Sequence, residues 1–467
     1  MRIADSLGLA KQHHQAGRLA EAEALYREIL SAEPQHPDAL HFLGVIAHQS
    51  GRSDIAVEMI RQALALIPNN PGAHSNLGNV LRDNGRLDEA IGAYRRALEL
   101  NPGMVGARNS LASALQEEGR PDEAIAAWRE ALALQPGVAA VHCNLGNALR
   151  SSGHLDEAIG AFHRALELDP DLAAAHYSLA QALRDQGQFD QAITAYRRTL
   201  QLQPDYAEGH GTLGRALQQQ GRLEEATAAY RMALLLQPDS PEYHYLLAGL
   251  TGDHSATTAP ASYVRQVFDS YAGTFDEHLV GKLNYRVPEL LFEAVLDAAP
   301  GRKFDVLDLG CGTGLCGAQF RAVARSLVGV DLAPKMLEKA AARGIYDRLV
   351  CGEALATLQA ETGRFDLILA GDVFVYVGDL SGVFPAAARA LRDAGLLAFS
   401  LERHDGEGYV LRPTARFVHS LAYIRDLSRK HGFTEISTQE IAVRREGLRD
   451  VPGWLVVLQQ SADGQQP

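Results

Sequence analysis

The sequence predicts a multidomain chain in which an all-α solenoid precedes an α/β domain with a parallel sheet. Residues 1–238 repeat with a period of 34, which indicates the solenoid. Short apolar runs then alternate with helix-compatible segments, which indicates the parallel sheet. The first of these runs ends in the glycine-rich turn V-L-D-L-G-C-G-T-G at residues 306–314. A length of 467 residues is enough for two or more domains.

The first half of the chain carries columns of the same residue type at every thirty-fourth position. The glycine column is Gly17, Gly51, Gly85, Gly119, Gly153, Gly187 and Gly221, and the alanine column is Ala22, Ala56, Ala90, Ala124, Ala158, Ala192 and Ala226. In the third cycle we predict helices over 73–84 and 87–100, with Gly85 as a left-handed cap between them. Ala90 permits close approach of the paired helix, and Tyr94 fills the space between neighbouring helices.

This pattern is similar to the tetratricopeptide repeat, in seven cycles that cover residues 1–238. The resemblance implies an extended groove that takes a protein or peptide partner. Columns of polar residues on the first helix of each cycle are expected to line the groove. One of these columns is Arg82, Gln116, Arg150, Arg184 and Gln218.

Residues 239–261 are expected to form a capping helix and a linker. The helix is predicted over 240–250, and the segment G-D-H-S-A-T-T-A-P at 252–260 is rich in small, polar and helix-breaking residues. The second domain is therefore predicted over residues 262–467. Its first part, 262–299, has aromatic and aliphatic residues largely at helical spacing.

The second domain is predicted to contain five parallel strands followed by an antiparallel hairpin. The parallel strands are expected at 304–309, 327–331, 347–350, 365–370 and 395–401, with right-handed crossovers. Residues 433–444 and 451–459 are expected to pair as the hairpin, around a turn at Gly447.

The turn that follows the first strand has the composition of a cofactor-binding site. Gly310, Gly312 and Gly314 permit unusual backbone angles and let a ligand touch the backbone. The dinucleotide fingerprint would need glycine at 315, where the chain has Leu315. Asp308 would repel a pyrophosphate but attract an ammonium group. Asp331, at the end of the second strand, can accept hydrogen bonds from both hydroxyls of a ribose.

These residues resemble motif I and the acidic loop of class I S-adenosylmethionine-dependent methyltransferases, whose fold is Rossmann-like. The resemblance implies that S-adenosylmethionine is the cofactor and that the later strand loops build the acceptor pocket. The implied cofactor-binding residues are Asp308, Gly310, Gly312 and Gly314 at the methionine portion, Asp331 at the ribose, Met336 and Glu353 at the adenine, and Tyr271 in a helical lid. Asp372 would face the transferred methyl group.

The acceptor pocket is expected to use side chains from the last loops of the domain. His419 and Tyr423 are four residues apart on a predicted helix, so we expect them on one face as catalytic residues with Asp372. Arg416 could grip a carboxylate. Residues 365–423 resemble a family of tetratricopeptide-containing methyltransferases with a general likeness to small-acid O-methyltransferases.

Composition narrows the classes of function that fit the chain. The formal net charge is −13 and no basic patch is evident, so nucleic acid is not expected as a partner. No apolar run approaches the ~20 residues of a membrane span, and the first residues lack the layout of a signal peptide. The four cysteines form neither a disulfide framework nor a C-x-x-C motif. We therefore expect a cytoplasmic protein without a metal site.

The sequence thus predicts methyl transfer from S-adenosylmethionine to a small acid or to a protein that the solenoid recruits. Two alternatives stay open. One is a tetratricopeptide scaffold whose second domain binds cofactor without catalysis. The other is a nicotinamide-dependent oxidoreductase, which the absence of glycine at 315 and of a Y-x-x-x-K pair disfavours.

Overall fold

A computed structural model describes residues 2–446 and 449–461 of the chain. The chain divides into two compact units, Met1–Gly209 and His210–Pro467. The turn predicted at Gly447 lies outside the described residues, and the domain limits at 238 and 262 stay predictions. Among the described residues, no helix combines the length and apolar character that crossing a membrane requires.

The first unit is built of helical pairs. Its helices are α1 (Ile3–Gln15), α2 (Leu19–Ala32), α3 (Pro37–Gln49), α4 (Ser53–Leu66), α5 (Pro71–Asp83), α6 (Leu87–Leu100), α7 (Val105–Glu117), α8 (Pro121–Leu134), α9 (Ala139–Ser151), α10 (Leu155–Leu168), α11 (Ala173–Asp185) and α12 (Phe189–Leu202). Helix α6 has the predicted bounds. Helix α5 begins two residues before the predicted 73, because Pro71 occupies its first turn and the Asn70 side chain accepts a hydrogen bond from Ala73 N.

Small residues allow the two helices of a pair to pack closely. Every member of the predicted alanine column is fully buried, and Gly85 adopts the predicted left-handed conformation at φ 71°. The structure adds a contact that the sequence analysis did not identify. A Cβ on Gly78 of α5 would lie 2.6–2.9 Å from the ring of Tyr94 on α6, so only glycine fits there.

The second unit combines helices with two sheets. Its helices are α13 (Ala207–Gln219, which begins in the first unit), α14 (Leu223–Leu236), α15 (Pro241–Thr251), α16 (Ala261–Tyr271), α17 (Val287–Ala298), α18 (Leu315–Phe320), α19 (Pro334–Ala342), α20 (Ala354–Ala360), α21 (Val383–Ala390) and α22 (Leu421–Lys430), with a π-helical turn at Glu277–Lys282 and a 3₁₀ turn at Phe374–Tyr376. Its strands are β1 (Phe304–Leu309), β2 (Ala324–Asp331), β3 (Arg348–Cys351), β4 (Phe365–Ala370), β5 (Leu391–Glu402), β6 (Tyr409–Leu411), β7 (Phe417–His419), β8 (Phe433–Glu446) and β9 (Arg449–Gln460).

The large sheet has the strand order β3-β2-β1-β4-β5-β9-β8. Strands β1 to β5 are parallel, and β9 runs antiparallel to both β5 and β8, which confirms the predicted sheet and hairpin. Apolar side chains of the central strands fill a core on each face of this sheet. Strands β6 and β7 form a second, two-stranded sheet that was not predicted.

Candidate active site

Three glycines shape the turn between β1 and α18. Gly310, Gly312 and Gly314 all adopt left-handed conformations, with φ of 59°, 55° and 93°. A Cβ on Gly310 would lie 2.6 Å from Cγ2 of Val373, so the turn excludes a side chain there. A Cβ on Gly312 would meet nothing nearer than Phe275, at 3.9 Å. The backbone at Gly312 is therefore open to a ligand.

The carboxylate of Asp331 ties the end of β2 to this turn. Its Oδ2 accepts a hydrogen bond from Gly312 N at 2.9 Å, and its Oδ1 accepts one from Ala333 N at 2.8 Å. Burial raises the pKa of Asp331, while these backbone N–H groups act in the opposite direction. The two bonds fix the orientation of the carboxylate at the carboxyl edge of the sheet.

Asp308 lies beneath the turn. Its side chain is 1% exposed, and its Oδ2 accepts a 2.7 Å hydrogen bond from the Tyr346 hydroxyl. Burial raises the pKa of Asp308 to about 7, against the opposing effect of the Tyr346 hydrogen bond. Asp308 is not among the described residues that line the adjoining cavity. Its contacts give it a structural position, and the direct ammonium contact predicted for it is not supported by this geometry.

A cavity of about 760 Å³ opens above the glycine turn. Residues 257–261, helix α16 and the carboxyl ends of β1, β2 and β4 contribute to its wall. The predicted site residues that line it are Tyr271, Gly310, Gly312, Asp331, Glu353 and Asp372. Residues 257–259, part of the predicted linker, are held against the domain: Thr257 O accepts hydrogen bonds from Gly378 N and Asp379 N, at 2.8 and 2.9 Å.

Met336 and Tyr271 occupy different positions relative to this cavity. Met336 is fully buried and packs with Ala272 and Ala333, away from the described lining. Tyr271 lines the cavity, and its hydroxyl is hydrogen-bonded to Nδ1 of His278 in the π-helical turn. Glu353 is exposed and directly precedes α20. Tyr271 and Glu353 are therefore accessible to a ligand, whereas Met336 contributes to the core beneath α16.

The far end of the cavity holds a group of charged side chains. Asp372 has a left-handed backbone, with φ 58°, and its N–H donates a 2.8 Å hydrogen bond to Ser400 Oγ. Nη1 of Arg416 lies 3.4 Å from Asp372 Oδ2 and 3.2 Å from Glu402 Oε1. Arg444, which is 3% exposed, donates a 2.6 Å hydrogen bond to Glu402 Oε1.

Asp372 retains one oxygen that can serve a ligand. Its Oδ1 is buried and makes no hydrogen bond with the described part of the chain. Nη1 of Arg444 lies 4.0 Å from this oxygen. The far end of the cavity can therefore accept a hydrogen bond or a proton from a molecule bound there.

The structure corrects the expectation that His419 and Tyr423 share a helix. His419 is the last residue of β7, and α22 begins at Leu421 because the Ser420 side chain caps it by accepting a hydrogen bond from Tyr423 N at 3.2 Å. Nε2 of His419 donates to the carbonyls of Val377 and Gly378, at 3.0 Å each. Neither His419 nor Tyr423 is among the described residues lining the cavity.

The contacts of His419 and Tyr423 favour structural roles. His419 is fully buried, and burial lowers its pKa to about 4, so it stays neutral near pH 7. The Tyr423 hydroxyl accepts a hydrogen bond from Leu380 N at 2.9 Å and donates one to Asp379 Oδ1 at 3.1 Å. Both side chains hold the segment after the 3₁₀ turn, and this arrangement gives no support to the predicted catalytic roles.

Tyr285 and Arg444 are among the residues of the cavity wall that sequence reasoning missed. Tyr285 lies between the π-helical turn and α17, outside any motif. Arg444 lies in β8, and its partner Glu402 is 42 residues away in the sequence. The alternation of polar and apolar residues along β8 does not distinguish Arg444 from the other polar residues of the strand. Its burial depends on tertiary pairing, which the sequence pattern does not show.

Comparison with known proteins identifies two kinds of segment in the chain. A family model described as a methyltransferase domain matches residues 307–399. Two models described as tetratricopeptide repeats match residues 7–73, 49–105, 75–139, 109–173 and 143–207, and residues 183–250.

Individual relatives match parts of the chain. Methyltransferase-like protein 27 of Homo sapiens is 40% identical over 106 residues, 22% of this chain and 43% of that protein. Ubiquinone biosynthesis O-methyltransferase of Bordetella avium (strain 197N) is 33% identical over 130 residues, 25% of this chain and 53% of that protein. The chain therefore spans about half or less of these two relatives. A crystal structure of MamA is 28% identical with a TM-score of 0.33, and the match covers 35% of this chain and 95% of that one.

Proposed function

Because this chain joins tetratricopeptide repeats to a methyltransferase domain, we propose that it transfers a methyl group from S-adenosylmethionine to an acceptor and that its repeats bind a protein or peptide. One observation carries the cofactor assignment. The carboxylate of Asp331 is fixed by two backbone N–H groups beside the open backbone of Gly312, on the wall of a cavity of about 760 Å³.

The residues of this wall fit the proposed cofactor. Asp331 would accept hydrogen bonds from the ribose hydroxyls, Glu353 would accept from the adenine amino group, and Gly310 and Gly312 would let the methionine portion approach the backbone. When bound, the cofactor supplies a methyl group already activated by its sulfonium charge. The chain contributes position and exclusion of water, for which Tyr271 and the apolar wall of α16 are suited.

Asp372 is the residue that we propose for contact with the acceptor. Its Oδ1, which makes no hydrogen bond within the described residues, would accept a hydrogen bond from an acceptor hydroxyl or amine and would take up the proton as the methyl group is transferred. A hydroxyl is favoured, because a relative that matches this domain is an O-methyltransferase by name. Arg416 would pair with an acidic group elsewhere on a small acceptor.

The repeats would serve as the recruiting surface. Their paired helices follow a single 34-residue pattern, and polar side chains occupy the predicted groove columns. The partner in this groove would be either the methylated molecule itself or a protein that places the enzyme near a small acidic acceptor.

A two-stage experiment tests this function. Calorimetric titration of the full chain should show saturable binding of S-adenosylmethionine, and the Asp331→Ala variant should bind it more weakly. Incubation with cofactor carrying a labelled methyl group and a cell extract should then transfer the label to protein or to small acids, detected by mass spectrometry. Binding of S-adenosylmethionine without transfer of the methyl group would indicate a non-catalytic scaffold. Preferential binding of a nicotinamide dinucleotide would contradict the proposal.

A further inference from the structure

The hairpin loop, which we define as residues 412–416 between β6 and β7, is held by helices of the last repeat and its cap. The Tyr245 hydroxyl of α15 donates a 2.8 Å hydrogen bond to the carbonyl of Ala415. Nε2 of Gln218 in α13 donates to the carbonyl of Pro413. Oε1 of Gln218 accepts a 2.6 Å hydrogen bond from the Tyr230 hydroxyl, which fixes the amide orientation. The buried Tyr245 and the half-buried Gln218 thus each bind one backbone carbonyl of the hairpin loop.

The packing around these hydrogen bonds is close. A Cβ on Gly249 of α15 would lie 2.9 Å from the carbonyl oxygen of Arg412, so a side chain there would push against the loop backbone. The Tyr245 ring also packs against Phe417 of β7, with ring centroids 6.1 Å apart. Tyr245 is 2% exposed, so its hydroxyl depends on the loop carbonyl for its hydrogen bond.

Gln218 belongs to a column predicted to line the groove of the solenoid. Two other members of that column, Arg150 and Arg184, form ion pairs with the same residue, Asp185. At the last repeat the column instead binds a backbone carbonyl from the chain's own methyltransferase domain. This position is therefore used for an internal contact.

The hairpin loop leads directly into the charged end of the cavity. Ala415 has φ 56°, a conformation that alanine adopts at an energetic cost. Its carbonyl is the one that Tyr245 binds, so this hydrogen bond favours the strained conformation. The next residue is Arg416, whose guanidinium lines the cavity and contacts Asp372, another lining residue, and Glu402. A change in the loop backbone would therefore move the guanidinium.

On the premise of the proposed function, we propose that Tyr245 and Gln218 are positioning residues that hold Arg416 at the acceptor end of the cavity. They touch no reacting atom. They fix the loop backbone, and the loop places the arginine that pairs with an acidic acceptor. The last repeat thereby belongs to the catalytic unit as well as to the solenoid.

Hydrogen exchange of the full-length apo protein tests whether Tyr245 and Gln218 stabilise the hairpin loop. The N–H groups of Arg412 and Ala415 are hydrogen-bonded within the loop and report its opening. Tyr245→Phe should speed their exchange roughly five-fold, the effect of losing one ordinary hydrogen bond, and Gln218→Ala should do the same. Tyr26→Phe, which removes a hydroxyl that has no hydrogen-bond partner in the described structure, should leave the loop unchanged.

A further variant, Gly249→Ala, distinguishes a loss of contact with the loop from a loss of helix stability. Gly249→Ala removes no hydrogen-bonding group and raises helix propensity, yet it should speed exchange in the loop because the new methyl group displaces the Arg412 carbonyl. Gly160→Ala is the matched control, since Gly160 lies inside α10 with open space beside it. Loop exchange that is unchanged in Tyr245→Phe, Gln218→Ala and Gly249→Ala would overturn the proposal.

Two further readouts test the link to Arg416. Modification of Arg416 by phenylglyoxal, followed by mass spectrometry, should be several-fold faster in Tyr245→Phe, and this assay needs no cofactor or acceptor. Once an acceptor is identified, its KM should rise in the same variant while cofactor affinity stays the same. If hydrogen exchange in the hairpin loop is faster but the reactivity of Arg416 or the KM of the acceptor is unchanged, the positioning role of Tyr245 and Gln218 is overturned. Absence of methyl transfer by the wild type would refute the proposed function without altering the exchange or modification results.

Discussion

Gly312 and Asp331 are joined by a 2.9 Å hydrogen bond from the glycine N–H to the carboxylate, which links the turn after β1 to the end of β2. The same carboxylate lines the cavity, so one side chain both orders the turn and faces the ligand. This relationship explains why the glycine motif and an acid 19 residues later belong to one site.

The first prediction concerns that carboxylate. Asp331→Ala should weaken S-adenosylmethionine binding by ~1–3 kcal/mol, because it removes a charged hydrogen-bond acceptor. Calorimetric titration of both proteins measures the difference. Asp393→Ala, at an exposed position, is the control and should bind as the wild type does. Equal affinities of Asp331→Ala and wild type would remove Asp331 from the cofactor site.

The second prediction concerns Asp372. Asp372→Asn should lower kcat by roughly 10²–10⁴-fold, the range for loss of a general base, with cofactor affinity unchanged. Asparagine also tolerates the left-handed backbone at this position, so the fold should be kept. Single-turnover kinetics with a labelled methyl group, beside a cofactor titration, checks the result. A variant with wild-type kcat would show that Asp372 takes no proton from the acceptor.

The third prediction concerns the pH dependence of stability. Burial raises the pKa of Asp308 from 3.8 to about 7, so between these values the folded state binds more protons than the unfolded state. The stability from Asp308 is complete below about pH 4 and is lost as the pH rises through about 7. Relative to wild type, Asp308→Asn should therefore gain about 2–4 kcal/mol of unfolding free energy between pH 4 and pH 8.

Urea denaturation of the apo proteins at several pH values measures this difference. The contribution of His419, whose pKa is lowered to about 4 by burial, has the opposite pH dependence in both proteins and cancels in the comparison. A constant gap between the two stability curves would mean that Asp308 titrates normally.

The fourth prediction concerns the close packing of the helical pairs. Gly78→Ala should lower the free energy of unfolding by about 1–3 kcal/mol, because its Cβ would overlap the Tyr94 ring. Gly92→Ala, inside α6 with open space beside it, should instead raise it by about 0.5–1 kcal/mol. Chemical denaturation measures the free energy of unfolding of both variants. Equal changes in Gly78→Ala and Gly92→Ala would contradict the packing argument.

Local sequence determined the features that depend on neighbours in the chain. The columns that contain Gly85 and Ala90 predicted the left-handed turns and buried faces, because each helical pair repeats the same local contacts. The parallel strands, the terminal antiparallel hairpin and the position of the glycine turn followed from the alternation of apolar runs with helices. Both predictions rest on patterns that recur along the sequence and can be recognised without the tertiary contacts.

Several features that depend on particular side-chain contacts or on very short strands were not predicted. Strands β6 and β7 are three residues each, too short to show a period. His419 was assigned to a helix from its spacing with Tyr423, but the Ser420 side chain starts the helix after it. The positions of Arg416 and Arg444 depend on Glu402, 14 and 42 residues away, so no local pattern reveals this network.

We propose above all that the cavity beside Asp331 binds S-adenosylmethionine for methyl transfer. The most direct measurement is a calorimetric titration of the purified chain with S-adenosylmethionine and, separately, with a nicotinamide dinucleotide. We expect saturable one-site binding of S-adenosylmethionine that Asp331→Ala weakens, with no binding of the dinucleotide. Binding of the dinucleotide alone, or no heat of binding with either ligand, would contradict it.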